Sequence, residues 1–346
     1  MNDGNNHMPF QPLVLLRCNA GHETGLGHVS RSLRLALALR ERGARVHFLL
    51  GSDDAVERVR QAGFTVDVQP PDDDSSAFLD EIRRQKPLAV VLDVRPPYSR
   101  SVVCLLKEYT RVVILDDISE QRWEADLIYL PPTPAVLALD WTGFSGQRHI
   151  GIEWMLTGHA FTPCPLCPPH EPLRLLLTTG GSDPWGYMEQ LAPALVQNCH
   201  ELHIELGLVV GPSFRARQQQ LVTYSQLFPP PRIFDAPSSM NEPYMWCDSA
   251  ITVFCVSAYE LAACGRPALY LCPSKEYAEH AAVFQRKGYG NILWTAGEGP
   301  FLWGKIRLVL PGFLRQIGNY RHALREFPRD AAPHIAMHIL QCLPVG

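Results

Sequence analysis

No apolar run in this chain approaches the roughly 18 residues that a membrane-spanning helix needs. The opening "MNDGNNHMPFQP" lacks the basic-then-apolar order of a signal peptide. Basic residues are in no surplus either. The 31 Lys and Arg against 35 Asp and Glu leave a net charge of −4, which argues against a general nucleic-acid binder. That balance still allows a local basic pocket for a phosphorylated small molecule. Short repeats and low-complexity tracts are absent. The 10 cysteines form no evident disulfide framework: most sit in apolar segments such as "SVVCLL" and "ALYLC", where they read as buried thiols. These absences lead us to expect a cytoplasmic protein with no transmembrane segment and no nucleic-acid partner.

What is present is the composition of a globular protein, 46% hydrophobic and 19% charged. At 346 residues the chain is long enough for two domains of about 150 residues. Short apolar runs alternate with helical patterns, the mark of βαβ units and a parallel sheet. The first series of predicted strands is Leu13–Arg17, Arg45–Leu50, Thr65–Val68, Leu88–Asp93, Arg111–Leu115 and Asp126–Leu130. Amphipathic stretches separate them, such as His28–Arg42 with Val29, Leu33, Ala36 and Leu37 at helical spacing. A second series runs Leu173–Thr178, Leu202–Val210, Arg232–Phe234, Ser249–Phe254, Ala268–Leu271 and Asn291–Leu293. Between them, five prolines from Pro163 to Pro172 exclude helix or central strand and predict a connection. We therefore expect an α/β chain of two Rossmann-like doubly wound domains facing a cleft, with boundaries at 1–158 and 173–328 and a linker at 159–172. A C-terminal helix within 329–346 is expected, with the option of packing back on the first domain. Ligands of such folds gather at the carboxyl ends of the strands, so informative residues should follow strands.

Three stretches do. "ETGLGHVSR" follows the first strand and opens the first helix. Gly25 and Gly27 permit a tight turn, His28 stands in the first helical turn, and Arg31 lies one turn on, able to steady an anion. The positive end of the helix dipole there disfavours a second positive charge on the imidazole. A glycine turn with a solvated histidine is the bland alternative. The stretch is not a Walker A loop, because no Lys-Ser/Thr follows. As a dinucleotide fingerprint it lacks the third glycine, and Asp53 and Asp54 lie beyond the second strand rather than at its end. "LLLTTGGSDPWG" offers Gly180, Gly181 and Ser182 as an anion cradle ahead of a helix near Tyr187; Asp183-Pro184 also makes an ordinary helix start. In "ITVFCVSAYELAACGRPALYL", Ser257 suits a cap or a phosphate contact. Glu260 either completes a capping box with it or reaches a pair of ligand hydroxyls such as a ribose.

Taken in order, these stretches resemble the nucleotide-sugar enzymes of the GT-B fold. They are most similar to the family of the UDP-sugar hydrolase of pseudaminic acid synthesis and the related spore-coat polysaccharide proteins. Members open with an Arg-containing strand and a G-x-G-H-x-x-R loop, matched by Arg17, Gly25, Gly27, His28 and Arg31. Their G-G-S/T-D loop is matched by Gly180, Gly181, Ser182 and Asp183. Their Ser-x-x-Glu segment before a Gly-x-Pro turn is matched by Ser257, Glu260, Gly265 and Pro267. The resemblance implies His28 as catalytic base and the second domain as the seat of UDP. Two places depart from the hydrolases. Asp93 stands where their Asp-His-Tyr-Gly segment begins, but Val94 and Arg95 replace the His-Tyr pair, and "SKEYAEH", with Lys275 and Glu276, replaces an Asn-Gln pair.

The expected function is glycosyl transfer from a UDP-sugar at the anomeric carbon, with water as acceptor, in surface-glycan or nonulosonic acid biosynthesis. His28 is the expected catalytic residue, and Arg17, Gly25, Gly27, Arg31, Asp93, Gly180, Gly181, Ser182, Ser257 and Glu260 are the expected substrate-binding ones. Alternatives are an inverting transferase with a saccharide or lipid acceptor, and a non-catalytic nucleotide-sugar binder. No cofactor and no metal are expected. Cys164 and Cys167, with His159 and His170 nearby, have half of a zinc site's spacing and no second CxxC. Asp72–Asp74 read as a solvated turn, and Asp116 and Asp117 follow a strand and either border the cleft or cap the next element.

Overall fold

The computed structural model describes residues 11–19, 27–69, 75–157, 168–298 and 303–341. Two fully parallel sheets carry the chain. The first contains β1 (Leu13–Cys18), β2 (Arg45–Leu50), β3 (Thr65–Val68), β4 (Ala89–Asp93), β5 (Arg111–Leu115), β6 (Leu127–Leu130) and β7 (Gln147–Ile150), in the order β3-β2-β1-β4-β5-β6-β7. The second contains β8 (Arg174–Thr178), β9 (Glu205–Val210), β10 (Arg232–Asp235), β11 (Ser249–Val253), β12 (Ala268–Cys272) and β13 (Gly290–Thr295), in the order β10-β9-β8-β11-β12-β13. Central strands such as β4, "AVVLD", and β11, "SAITV", are buried at every position, because helices cover both faces and continuous apolar runs satisfy both. Each sheet accordingly separates two apolar clusters. Val14, Phe48 and Val91 fill one face of the first sheet, and Leu15, Leu49 and Val90 the other.

Both sheets are doubly wound, with the strand order reversing between β1 and β4 and between β8 and β11. At such a reversal the connections leave on opposite faces and open a crevice at the carboxyl ends of the strands. Cys18 pairs with Asp93 at the first reversal, and Thr178 pairs with Thr252 at the second. The segments that follow these positions build the site described below.

The helix Gly27–Glu41 begins one residue before the predicted start. The helix Ala332–Gln341 packs against it, with Ile335, Ala336 and Ile339 in the same apolar cluster as Val29, Leu33 and Ala36. An Arg34–Asp330 ion pair closes the end of that contact. Three elements differ from the sequence expectation. β7, "QRHI", is an edge strand whose polar sequence and half-exposed pattern hide it. β9 starts at Glu205 rather than Leu202, because the preceding helix runs to Glu201 and His203 turns the chain at φ 54°. Ser257 does not cap its helix: Val256–Ala263 has Cys255 at the cap, so Ser257 lies inside the first turn and no Ser257–Glu260 capping box forms. No helix among the described residues is long and apolar enough to cross a membrane.

Candidate active site

A cleft of about 580 Å³ lies between the two sheets, lined from both. On the first-domain side the first turn of the helix Gly27–Glu41 places His28 in the cleft wall, its side chain 18% exposed. Below it, at the end of β4, Asp93 is 1% exposed. Its Oδ1 lies 2.7 Å from His28 Nδ1. Arg31, one helical turn from His28, donates from Nε to Asp93 Oδ2 at 2.7 Å, from Nη2 to Oδ1, and from Nη1 to Asp116 Oδ2 at 3.1 Å. Burial pushes the Asp93 carboxyl up, but the Arg31 guanidinium and the His28 ring outweigh it and hold Asp93 well below the usual carboxylate range. Burial likewise works against the Arg31 charge, and Asp93 with Asp116 raises that guanidinium above its ordinary value.

An ionised Asp93 can only accept hydrogen bonds. At 2.7 Å it fixes the proton of His28 on Nδ1, in preference to the longer contact of 3.2 Å between Nδ1 and Arg31 Nη2. The Nε2 lone pair is then free to act as a base, and the carboxylate stabilises the imidazolium formed when it does. Asp116, at the end of β5, holds the left-handed φ of 54°, a strained conformation for a non-glycine residue, and also lines the cleft. Its neighbour Asp117 is turned away: Oδ1 accepts from the Ser119 amide at 2.8 Å and caps a turn.

The second-domain side is built from the loops after β8 and β11. Gly180, with φ of +91°, Gly181 and Ser182 line the cleft. Gly211, after β9, packs so tightly on them that a Cβ there would lie 2.3 Å from the Gly181 carbonyl oxygen. Asp183 sits below and takes the first amides of the helix Tyr187–Glu201, accepting from Tyr187 N at 3.0 Å and Met188 N at 2.9 Å. The second loop brings Ser257 and Glu260 to the cleft. Glu260 is 6% exposed and accepts from the Tyr244 hydroxyl at 3.0 Å. Gly27 faces Val256, a Cβ on it coming within 3.3 Å of Val256 Cγ2, so the starts of the helices Gly27–Glu41 and Val256–Ala263 approach closely.

The structure thus brings together Gly27, His28, Arg31, Gly180, Gly181, Ser182, Ser257 and Glu260. Two expected binding residues stand elsewhere. Asp93 lies under His28 and Arg31 and meets the cleft through those two side chains. Arg17 is 3% exposed and occupied inside the first domain, donating to the Tyr98 hydroxyl and the Gln69 carbonyl, both at 2.8 Å; its burial in that network keeps it off the cleft wall. Gly25, Asp72–Asp74, His159, Cys164 and Cys167 lie outside the described residues, and His170 pairs with Asp248 at 3.1 Å. Sequence reading missed Arg58, whose guanidinium faces the cleft. Burial lowers it below its ordinary value, with Glu260 pulling the other way. It also missed the apolar patch of Pro212, Pro237 and Met240 after β9 and β10. Their position beyond strand ends was the available signal.

This pairing of two doubly wound domains around a cleft is the GT-B fold, and solved structures of that fold superpose along nearly the whole chain. The spinosyn rhamnosyltransferase SpnG, complexed with thymidine diphosphate, matches with a TM-score of 0.67 at 14% identity, covering 96% of this chain and 100% of its own. MnaA from S. aureus, in a co-structure with UDP, matches with 0.67 at 11% identity over 96% and 98%. MurG from Acinetobacter baumannii matches with 0.62 at 16% identity over 95% and 100%. No protein-family model matches the sequence, nor does any curated protein.

Proposed function

We propose that the protein transfers a glycosyl group from a UDP-sugar, with His28 as the base. The observation that carries this reading is the Asp93–His28 pair, 2.7 Å apart, on the wall opposite the Gly180–Ser182 loop. Uracil rests on the apolar patch of Pro237 and Met240, and Glu260 holds the ribose hydroxyls. The diphosphate lies against the amides of Gly180–Ser182 and the start of the Val256 helix, where fixed N–H dipoles stabilise the charge that grows on it. Arg58 adds a cation from the first domain. The attacking oxygen gives its proton to His28 Nε2 while its lone pair forms the new bond at the anomeric carbon. The bond from that carbon to the diphosphate oxygen breaks, and UDP leaves with the electron pair. A single displacement inverts the anomeric configuration. Co-structures of similar proteins with UDP and thymidine diphosphate support a nucleotide in this cleft.

Water is the acceptor in the leading reading, a UDP-sugar hydrolase of surface-glycan or nonulosonic acid biosynthesis acting in the cytoplasm. A second reading, transfer to a saccharide or lipid, is favoured by the residues after β4. Val94 is buried and Arg95 lines the cleft while donating to the Asp116 carbonyl at 3.0 Å, where the hydrolases it resembles carry a His-Tyr pair. Incubating a panel of UDP-sugars with the protein alone separates the two. Release of UDP without acceptor is expected for the hydrolase; release only when a saccharide or lipid is added identifies the transferase. UDP binding with no release under either condition would overturn both in favour of a binding protein.

A further inference from the structure

Away from the cleft, one face of the first sheet gathers three metal-ligating side chains that the proposed reaction does not use. His47 on β2 and Asp67 on β3 point to the same side, because His47 pairs with Thr65 and Asp67 lies two residues further along the strand. Glu81 comes down on them from the helix Ser76–Gln85. One donor atom from each of the three lies within 4.8 Å of the other two.

His47 is 8% exposed. His47 Nδ1 and the Thr65 hydroxyl share a hydrogen bond at 2.9 Å. Nε2, on the other side of the ring, is buried with no hydrogen-bond partner. It faces the Asp67 carboxylate, with Nε2 and Oδ2 3.3 Å apart. That contact calls for a cation between nitrogen and carboxylate, a proton or a metal ion. The separation suits one, since two ligands each about 2.1 Å from a metal, at angles between octahedral and tetrahedral, stand roughly 3.0–3.4 Å apart.

We propose that His47 Nε2, Asp67 and Glu81 bind a divalent transition-metal ion of the Zn²⁺ or Co²⁺ type. One imidazole and two carboxylates match the borderline character of these ions, and water completes the coordination. The ion ties edge strand β3 and the helix Ser76–Gln85 to β2. Glu81 is held by Arg84 and Gln85 through hydrogen bonds. The Arg84 side chain is 67% exposed, so it swings into solvent at little cost when the metal takes the carboxylate. Arg60 shares the same depression and keeps the affinity moderate.

The test uses the full-length protein, stripped with a chelator and titrated with CoCl₂ and ZnCl₂. Calorimetry and the visible absorption of bound Co²⁺ follow binding, and thermal unfolding is measured with and without metal. One site of micromolar affinity and a raised melting temperature are expected. Binding should weaken at least tenfold in Asp67→Asn, which changes an exposed side chain and folds, and in Glu81→Gln, while His28→Ala keeps it. Failure to bind either ion at millimolar concentration overturns the proposal. So does a site that survives both carboxylate substitutions, or one that His28→Ala removes. His47→Gln serves as a third variant, read only where its circular dichroism matches the parent.

Discussion

At the residue scale the site depends on one imidazole held in one tautomer. On the proposed reading His28 is the base, so His28→Ala should lower turnover by roughly 10²–10⁴-fold, while UDP affinity, assigned there to the opposite wall, stays within a few-fold. Single-turnover kinetics with calorimetry on the same sample checks both. Asp93→Asn is the sharper test, because it keeps the shape and removes the charge. The amide can present its NH₂ to Nδ1 and favour the wrong tautomer, so kcat should fall by about 10²-fold or more while KM changes little. An Asn variant with parental kcat would exclude Asp93 as the group that positions His28. The histidine and its arginine were legible in sequence because both follow β1 in one short motif. The role of Asp93 was not, since 65 residues separate it from His28 and only the strand reversal brings them together. Arg17 also sits in the matching motif, but its long side chain turns into the domain interior. The His47–Asp67–Glu81 cluster had no sequence signature at all, as its spacings of 20 and 14 belong to no ligand motif and only the sheet face joins them.

At the scale of elements, the strands with continuous apolar runs were readable nearly to the residue, because burial on both faces demands such runs. β7 was not, since an edge strand can be polar and still pair. The loops after β8 and β11 were found by their glycines and serine, whereas the loop after β9 was overlooked although Gly211 holds the cradle in place. A methyl group on Gly211 would come within 2.3–2.8 Å of Gly181 backbone atoms, and backbone cannot yield as a side-chain tip does. Gly211→Ala should therefore displace the Gly180–Ser182 loop and weaken UDP binding by roughly tenfold or more, a loss of about 1.4 kcal/mol. Isothermal titration measures it. Circular dichroism and thermal unfolding near those of the parent would show that the damage is local. Parental UDP affinity in a folded Gly211→Ala protein would remove the glycine loop from the diphosphate site.

At the scale of the whole molecule, the chain returns to the first domain at its last described helix, and that closure carries a pH dependence. His338 on this helix lies 3.1 Å from the Tyr129 hydroxyl of β6, and its ring is 4.7 Å from that of His149 on β7. Tyr129 stacks on His149 at 4.8 Å, and Trp154 covers both histidines. Burial lowers the His149 imidazole below its ordinary value, and the neighbouring His338 adds to it. Burial does the same to His338, with His334 adding. Two histidines that resist protonation when folded bind fewer protons than the unfolded chain does. Their effect on stability is absent above the unfolded value of roughly 6.5 and becomes a growing penalty as pH falls from there towards the depressed folded values. Asp93, also depressed, loses its stabilising charge only at far lower pH, so the two effects separate along the pH axis. The midpoint of urea unfolding should be level between pH 8 and 7 and drop progressively from pH 6.5 to 5. Substituting both histidines, His149→Phe with His338→Gln, should reduce that drop, the remainder falling to His47, whose imidazole burial also lowers. An undiminished acid slope in the double variant would place the titrating groups elsewhere and leave the returning helix held by Ile335, Ala336 and Ile339 and the Arg34–Asp330 pair, with no part for the histidines.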